Sequence, residues 1–362
     1  MKLALIAHHV APIRPPFAGG VESVTWYLAR WLARQGHRVT MFAPPGSAVD
    51  GVDVRPLELD AAFTEAATGD ASMPPGTFMA THHAYLDVLM ELADDAEGFD
   101  LVHSHSLHYL PVTLAPLLPV PVLLTLHTPP TPWLESALRA RRGAAPVLAA
   151  VSRATAGLWR GAAQVPHVVA NGVDTSAWPL GPGGEHAVWC GRMVREKAPH
   201  LAIDAARAAG MELRLAGPIV DGTYWEQAVA PRLGDDVRYV GHLGHAELAR
   251  LVGASRVSLM TPVWEEPFGM VAAEAMSTGT PVAAFARGGL AEVVGRSGGR
   301  LARPGDVGAL ASAIAEAASL DRRGVRAYAR DRLGIDAMGR GYEALYERVL
   351  GAHESLGTLD RA

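Results

Sequence analysis

The stretch MKLALIAHHVAPIRPPFAGGVESVTWYLARWLARQGHRVTMFA, residues 1–43, decides the fold class. An apolar run over 3–7 reads as a buried strand, and a loop follows that ends in Gly19 and Gly20. Beyond it Val24, Leu28, Trp31 and Leu32 recur at spacings of three and four, the period of a helix with one apolar face. Gly36 supplies the usual helix stop, and RVTMFA reads as a second strand. Strand, helix and strand within about forty residues make a βαβ unit, which requires a parallel sheet.

The same alternation continues outward. FDLVHSH from Phe99, VPVLLTLH from Val120 and VLAAVS from Val147 are strand-like runs. They end in polar residues: His103 and His105, His127, and Ser152. Positions just past the carboxyl ends of parallel strands are where open α/β sheets hold ligands. The stretch 59–76 reads as an irregular connection. Asn171-Gly172 marks a turn, and Pro and Gly crowd 179–184, so this segment is the candidate linker. A second alternating set begins after it, with HAVWCG, MELRLAG, VRYVG, RVSLMTP and PVAAFA as strands. The reading is α/β: two doubly wound Rossmann-like domains facing each other across a cleft. The first covers 1–172, with a C-terminal helix of about 341–358 packing back on it; the second covers 183–340.

Composition narrows the function. A chain of 362 residues is too long for one ordinary core. Its apolar content of 49% is that of a globular protein. A net charge of -5 argues against non-specific nucleic-acid binding, which needs a basic surface. One cysteine, Cys190, rules out an internal disulfide and fits a reducing, cytoplasmic setting. Its apolar surroundings mark it as a buried structural thiol. No cleavage site follows the first apolar run, so it is read as a strand and not a targeting segment. The long uncharged stretch 110–130 is broken by Pro111, Pro116, Pro119 and Pro121. It reads as a short helix, a turn and a strand rather than a membrane span.

The chemistry concentrates in EEPFGMVAAEAMSTGTPVAAFA, residues 265–286. On one continuous helix Glu266 and Glu274 would stand roughly 12 Å and about 80° apart, too far to share a target. Pro267 and Gly269 break such a helix, so the segment to Gly269 reads as a loop with a helix starting near Met270. Glu266 then lies in the loop and Glu274 one turn inside the helix. Between them is a helix N-terminus, whose unpaired amides suit an anion. Carboxylates flanking an anion suit a sugar joined to a diphosphate and a ribose. On spacing alone, an acidic first turn that stabilises its own helix dipole is the favoured explanation of the pair. A second cluster, CGRMVREKAPH, places Arg192 and Lys197 after a strand, where a guanidinium and an ammonium suit phosphates; a solvated basic loop is the plainer reading. Gly19-Gly20 before a helix looks like a phosphate turn but lacks the G-x-G-x-x-G pattern and the P-loop lysine.

Together these motifs resemble the retaining glycosyltransferases of family 4, of the GT-B fold class. The E-x7-E pattern with FG inside it carries most of the resemblance. GGVE, VHSH, TLH, VS and NGVD follow in the family's order along nearly the whole chain. One position departs: Ala198 stands after Lys197 where the family usually has glycine, a change expected to perturb the loop little. The resemblance implies that Arg192 and Lys197 hold the donor diphosphate and stabilise it as it leaves. Glu274 would accept from the ribose hydroxyls. Glu266 would bind the donor sugar, helped by the backbone of Phe268, Gly269 and Met270. Gly19 and Gly20 would approach the phosphate, His127 the sugar, and Gly241 and Leu243 the base. It further implies a UDP-sugar as the favoured donor, an unidentified acceptor, no cofactor and no metal. Phosphorylase, sugar-phosphate synthase, epimerase and non-catalytic nucleotide-sugar sensor remain alternatives on such a fold.

The remaining candidates are weaker. His103, His105, His108 and His127 suggest zinc, but no Cys or carboxylate at suitable spacing completes the set. Asp94-Asp95 lies in a polar helical stretch, not at a strand end. His8 or His9 could serve as a base in an inverting enzyme. Trp133, Leu134 and Leu138 with Arg139, Arg141 and Arg142 outline a basic amphipathic helix. Lipid contact is one reading of it, an acceptor-side helix with a solvated face the favoured one.

Overall fold

The structure is a computed structural model describing residues 1–362 except 60–61, 71, 73, 95–97, 141–144 and 360–362. The chain divides into two compact units. The first comprises Met1–Val151, Thr155–Val169 and Met338–Ala362; the second comprises Ser152–Ala154 and Ala170–Ala337.

The first unit contains β1 (Lys2–Ile6), β2 (Arg38–Ala43), β3 (Asp53–Pro56), β4 (Leu101–Ser104), β5 (Val122–Leu126), β6 (Val147–Ala150) and β7 (His167–Val168). They form one parallel sheet in the order β3-β2-β1-β4-β5-β6-β7. Leu3 pairs with Val39 on one side and Leu101 on the other, so the strand order reverses between β1 and β4. The second unit contains β8 (Ala187–Cys190), β9 (Leu213–Ala216), β10 (Val237–Tyr239), β11 (Val257–Met260), β12 (Val282–Phe285) and β13 (Gly299–Ala302). Their order, β10-β9-β8-β11-β12-β13, is also parallel and reverses between β8 and β11. The central strands are buried along their length because helices cover both faces. β3 and β7 are short edge strands with few apolar residues, so no hydrophobic run announces them.

The helix Gly20–Arg34 buries Val24, Leu28, Trp31 and Leu32 as its period demands. The stretch 110–130 forms the helix Leu110–Thr113, a 3₁₀ turn Ala115–Leu117 and β5. Among the described residues no helix is long and apolar enough to cross a membrane. The helix Pro132–Ala140 buries Leu134 and Leu138 in the first unit's core, while Trp133 stays 43% exposed. Arg141 and Arg142 lie outside the described residues, as does Asp95; Asp94 ends the helix Gly76–Asp94. His103 corrects the reading of it as a residue past a strand end, because it lies within β4 with its ring buried.

The stretch around 171–184, read as a linker, packs along the second unit. Gly181 and Gly183 donate to the carbonyls of Thr278 and Gly253. A Cβ on Gly181 would stand 2.2 Å from the Gly253 oxygen, so close backbone approach accounts for this glycine. Arg326 donates to the carbonyls of Trp178, Thr175 and Ser277 and ties down the same stretch.

From Met338 onward the long helix Ile335–Leu359 belongs to the first unit. Its buried Tyr346 hydroxyl lies 2.7 Å from His103 Nδ1, and Tyr342 reaches Thr125, which bonds His103 Nε2 at 2.8 Å. Gly339 lets the helix rest on Trp31: a Cβ there would fall 2.2 Å from the indole. Alanine is the better helix former, yet here it would displace a buried ring. Gly339→Ala should therefore destabilise the chain by about 1–3 kcal/mol, read as a lowered thermal midpoint.

Candidate functional site

β8 and β11 are the neighbours at which the second sheet reverses its order. Loops leaving their carboxyl ends diverge, and such a point is where a doubly wound sheet opens a crevice. After β8 the chain runs through Gly191 and Arg192 to the 3₁₀ turn Arg195–Lys197. It then passes Ala198 at φ 46° and ψ 54°, the one non-glycine residue with positive φ among those described. Left-handed backbone costs an L-residue roughly 1–2 kcal/mol. The turn persists because its surroundings hold it. Thr261 Oγ1 lies 2.9 Å from the Ala198 carbonyl and 3.1 Å from that of Lys197, and the Val263 amide donates to Glu196. Alanine at the usual glycine position thus leaves the left-handed turn in place.

The loop after β11 brings Glu266 to the same place. Lys197 Nζ lies 2.5 Å from Glu266 Oε2, and Trp264 Nε1 donates to that oxygen at 3.0 Å. The ammonium also stands 4.9 Å from the Trp264 ring centroid, within cation–π range. Both charges are largely shielded, which strengthens their attraction over an exposed pair.

The loop's backbone is held from behind. The Gly289 amide donates to the Glu266 carbonyl at 2.7 Å, and the buried Ser152 hydroxyl donates to the Pro267 carbonyl at 2.7 Å. A Cβ on Gly288 would sit 2.1 Å from the Glu266 oxygen, and one on Gly289 2.4 Å from that of Pro267. Glu265 accepts from Arg287 at 2.9 Å and from the Gly288 amide at 3.0 Å. The helix Met270–Ser277 begins after Gly269, whose φ of 93° makes the sharp entry. Its first amides have no intrahelical acceptor. Phe268 is buried beneath the loop.

Glu274 lies one turn into this helix, partly buried. Burial pushes its carboxyl up to about 7. It also holds the buried Cys190 thiol higher still, beyond what burial alone does. Arg192 is exposed and pairs with Glu196 at 2.9 Å. Gly241 and Leu243 follow β10, an edge strand two places from β8, and the Gly241 carbonyl accepts from Gly217. Arg192, Lys197, Glu266, Phe268, Gly269, Met270 and Glu274 thus cluster on the loops and helix after β8 and β11.

Gly19, Gly20 and His127 belong to the first unit. Gly19 is extended at φ −163° and begins the helix Gly20–Arg34. His127 follows β5, buried, with Nε2 2.9 Å from His105 Nδ1. Burial lowers it to about 3, so it is neutral near pH 7. Burial likewise holds His103 and His105 neutral. Among the described residues no group of three or more His, Cys, Asp or Glu side chains could hold a metal ion. Sequence reasoning missed Trp264, the Glu265–Arg287 pair and the Gly288-Gly289 backing. The adjacent glycines before a helix were the one available signal.

Glu274 makes the site's stability depend on pH. Its folded value of about 7 exceeds the ordinary 4.5, so between those values the folded chain holds more protons than the unfolded one. Stability therefore falls as pH rises through that window. Glu274→Gln should raise the thermal midpoint at pH 8, with the gain shrinking below pH 7 and vanishing near 4.5.

The family model described as Glycosyltransferase Family 4 matches residues 18–177, and that described as Glycosyl transferases group 1 matches residues 184–319. A D-inositol 3-phosphate glycosyltransferase from Nocardioides sp. is 31% identical over 370 residues, spanning 82% of this chain and 78% of that protein. A glycogen synthase from Mycobacterium tuberculosis is 37% identical over 163 residues, spanning 41% of this chain and 38% of its own length. Among solved structures, the Anabaena protein HepE in complex with UDP superposes with a TM-score of 0.73 at 21% identity. That match covers 96% of this chain and all of the other. The two matched segments, the relative spanning most of both chains and the two reversing parallel sheets agree: the chain belongs to glycosyltransferase family 4 and has the two-domain Rossmann-like architecture of the GT-B class.

Proposed function

We propose that this chain moves a hexose from a nucleotide-diphosphate sugar, most simply a UDP-sugar, to an acceptor hydroxyl with retention and without a metal. The observation that carries this reading is the contact of Lys197 with Glu266 beside the N-terminus of the helix Met270–Ser277. A cation, a carboxylate and a helix N-terminus then meet at one end of one sheet. An ammonium has three donors; one meets Glu266, and two remain for phosphate oxygens. Glu266 and Glu274 supply acceptors for hydroxyls on either side of an anion. The complex of HepE with UDP supports the choice of nucleotide.

Breaking a sugar–phosphate bond leaves negative charge on the diphosphate and positive charge on the ring. Preorganised positive groups stabilise the first as it develops. In this reading Lys197, Arg192 and the helix amides do so, and no divalent ion is needed. The departing phosphate oxygen takes the acceptor's proton on the face from which it leaves, which gives retention without a side-chain base. Residues 1–172 would serve the acceptor and 183–340 the donor. A cytoplasmic setting belongs to the same reading, with Cys190 as a buried free thiol.

The test is turnover of UDP-glucose in the presence of EDTA, with the anomeric configuration of the product read by NMR. Lys197→Ala should lower turnover by about 10²–10³-fold, the usual effect of deleting one charge-stabilising donor. Unchanged turnover in that variant, activity only after a divalent ion is restored, or an inverted product would each overturn the proposal.

A further inference from the structure

Trp264 precedes Glu266 by two residues in the loop after β11 and is half-buried. Its indole closes a triangle with the two charges beside it. Nε1 donates to Glu266 Oε2 at 3.0 Å, and Lys197 Nζ reaches the same oxygen at 2.5 Å. The ammonium in turn lies 4.9 Å from the indole centroid. Both donors therefore act on one oxygen of the carboxylate. Among the described residues none donates to the other, Oε1.

Such an arrangement has to be imposed. The terminal torsion of a glutamate is broad and roughly two-fold, and an ammonium beside a free carboxylate can straddle both oxygens. The indole opposes both. Its N–H pins Oε2 and so sets the plane of the carboxylate; its face attracts the cation and keeps it to one side. An indole N–H only donates, and Oε2 is the acceptor it finds here. The approach of the ring is set by backbone. The Val263 amide donates to the Glu196 carbonyl at 2.9 Å, and the Thr261 hydroxyl bonds the carbonyls of Lys197 and Ala198. These bonds join the loop after β11 to the loop after β8 just before Trp264. Glu265, the nearest rival carboxylate in sequence, is engaged by Arg287 and the Gly288 amide and does not compete for Lys197. Glu266 is left with one open oxygen, an acceptor for a hydroxyl, and Lys197 with donors that its carboxylate partner does not use.

We propose that Trp264 is a positioning residue of the donor site: its N–H presents Oε1 of Glu266 to a hydroxyl of the donor sugar and leaves the Lys197 ammonium to the diphosphate. This deepens the transfer reading above and rests on it. The two halves of the donor are then separable. Loss of the indole N–H should harm binding of the sugar and spare that of the nucleotide, because Lys197 keeps its own contact with Glu266.

The test is calorimetric titration of the full chain with UDP and with UDP-glucose at pH 8, for the wild type, Trp264→Phe and Trp264→His. Phenylalanine keeps an aromatic face but has no N–H. Histidine Nε2 takes the ring position of indole Nε1, and an imidazole with an ordinary pKa of about 6.5 is neutral at pH 8 with one N–H to donate. Trp264→Phe should weaken UDP-glucose by about tenfold, roughly 1.4 kcal/mol, and UDP by less than about twofold. Trp264→His should bring UDP-glucose back to within about threefold of the wild type. Thermal midpoints will report that each variant is folded. A merely structural loss would weaken both ligands alike, and the smaller histidine would not reverse it. Equal weakening of UDP and UDP-glucose, no weakening in Trp264→Phe, or no recovery in Trp264→His would overturn the positioning role and leave the transfer reading standing. A wild-type chain that binds neither ligand would overturn the transfer reading and the positioning role with it.

Discussion

The candidate site depends on the carbonyl of Glu266. It accepts from the Gly289 amide at 2.7 Å, across a gap so narrow that no side chain fits on Gly288 or Gly289. This contact joins the loop after β11 to the loop after β12 and fixes the path of Glu265 through Gly269. On that path the Glu266 side chain turns toward the loop after β8 and meets Lys197. Buried loop backbone must find partners, and here it finds them in a glycine pair and in Ser152.

Charge is distributed unevenly between the two units. In the second, shielded charges are paired or poised: Lys197 on Glu266, Arg287 on Glu265, and Glu274 raised by its own burial. A group that titrates near neutrality for lack of a partner is one whose charged form a ligand's hydroxyl donors would favour. In the first unit His103, His105 and His127 are imidazoles buried deeply enough to be neutral. His103 serves structure, bridging Thr125 to Tyr346 and so fastening the C-terminal helix to β4 and β5. The His-x-His pattern that looked like half a metal site is a pair of buried rings, His103 bonded to Tyr346 and Thr125 and His105 to His127. Within the second unit the arginines differ in task. Arg326 donates to the carbonyls of Thr175 and Trp178, and Arg322 to those of Gly253 and Ser255, a structural task. Arg192 stays exposed at the mouth of its loop.

Much of this was legible beforehand. Parallel strands buried on both faces must be apolar throughout, and helices between them must carry a three-and-four stripe, so the alternation could be read directly. The helix start at Met270 was legible because Pro267 and Gly269 leave few other places for it. Edge strands were not legible, since β3 lacks a buried face to enforce a pattern. Nor was the packing of residues 171–184. Glycines spaced for close backbone approach look the same in a sequence as glycines placed for freedom.

Local chemistry written into the chain therefore determined the fold class, the loop-then-helix geometry around Glu266 and Glu274, and the placing of polar residues at strand ends. Those features depend on neighbours within a few residues, on φ preferences and on period. Tertiary structure alone decided that Lys197 meets Glu266 across 69 positions, that Gly288 and Gly289 support that meeting, and that Ala198 stays left-handed. It also decided that His103, His105 and His127 are neutral. Burial and contact distance are properties of elements packed together, and no single stretch of sequence contains them.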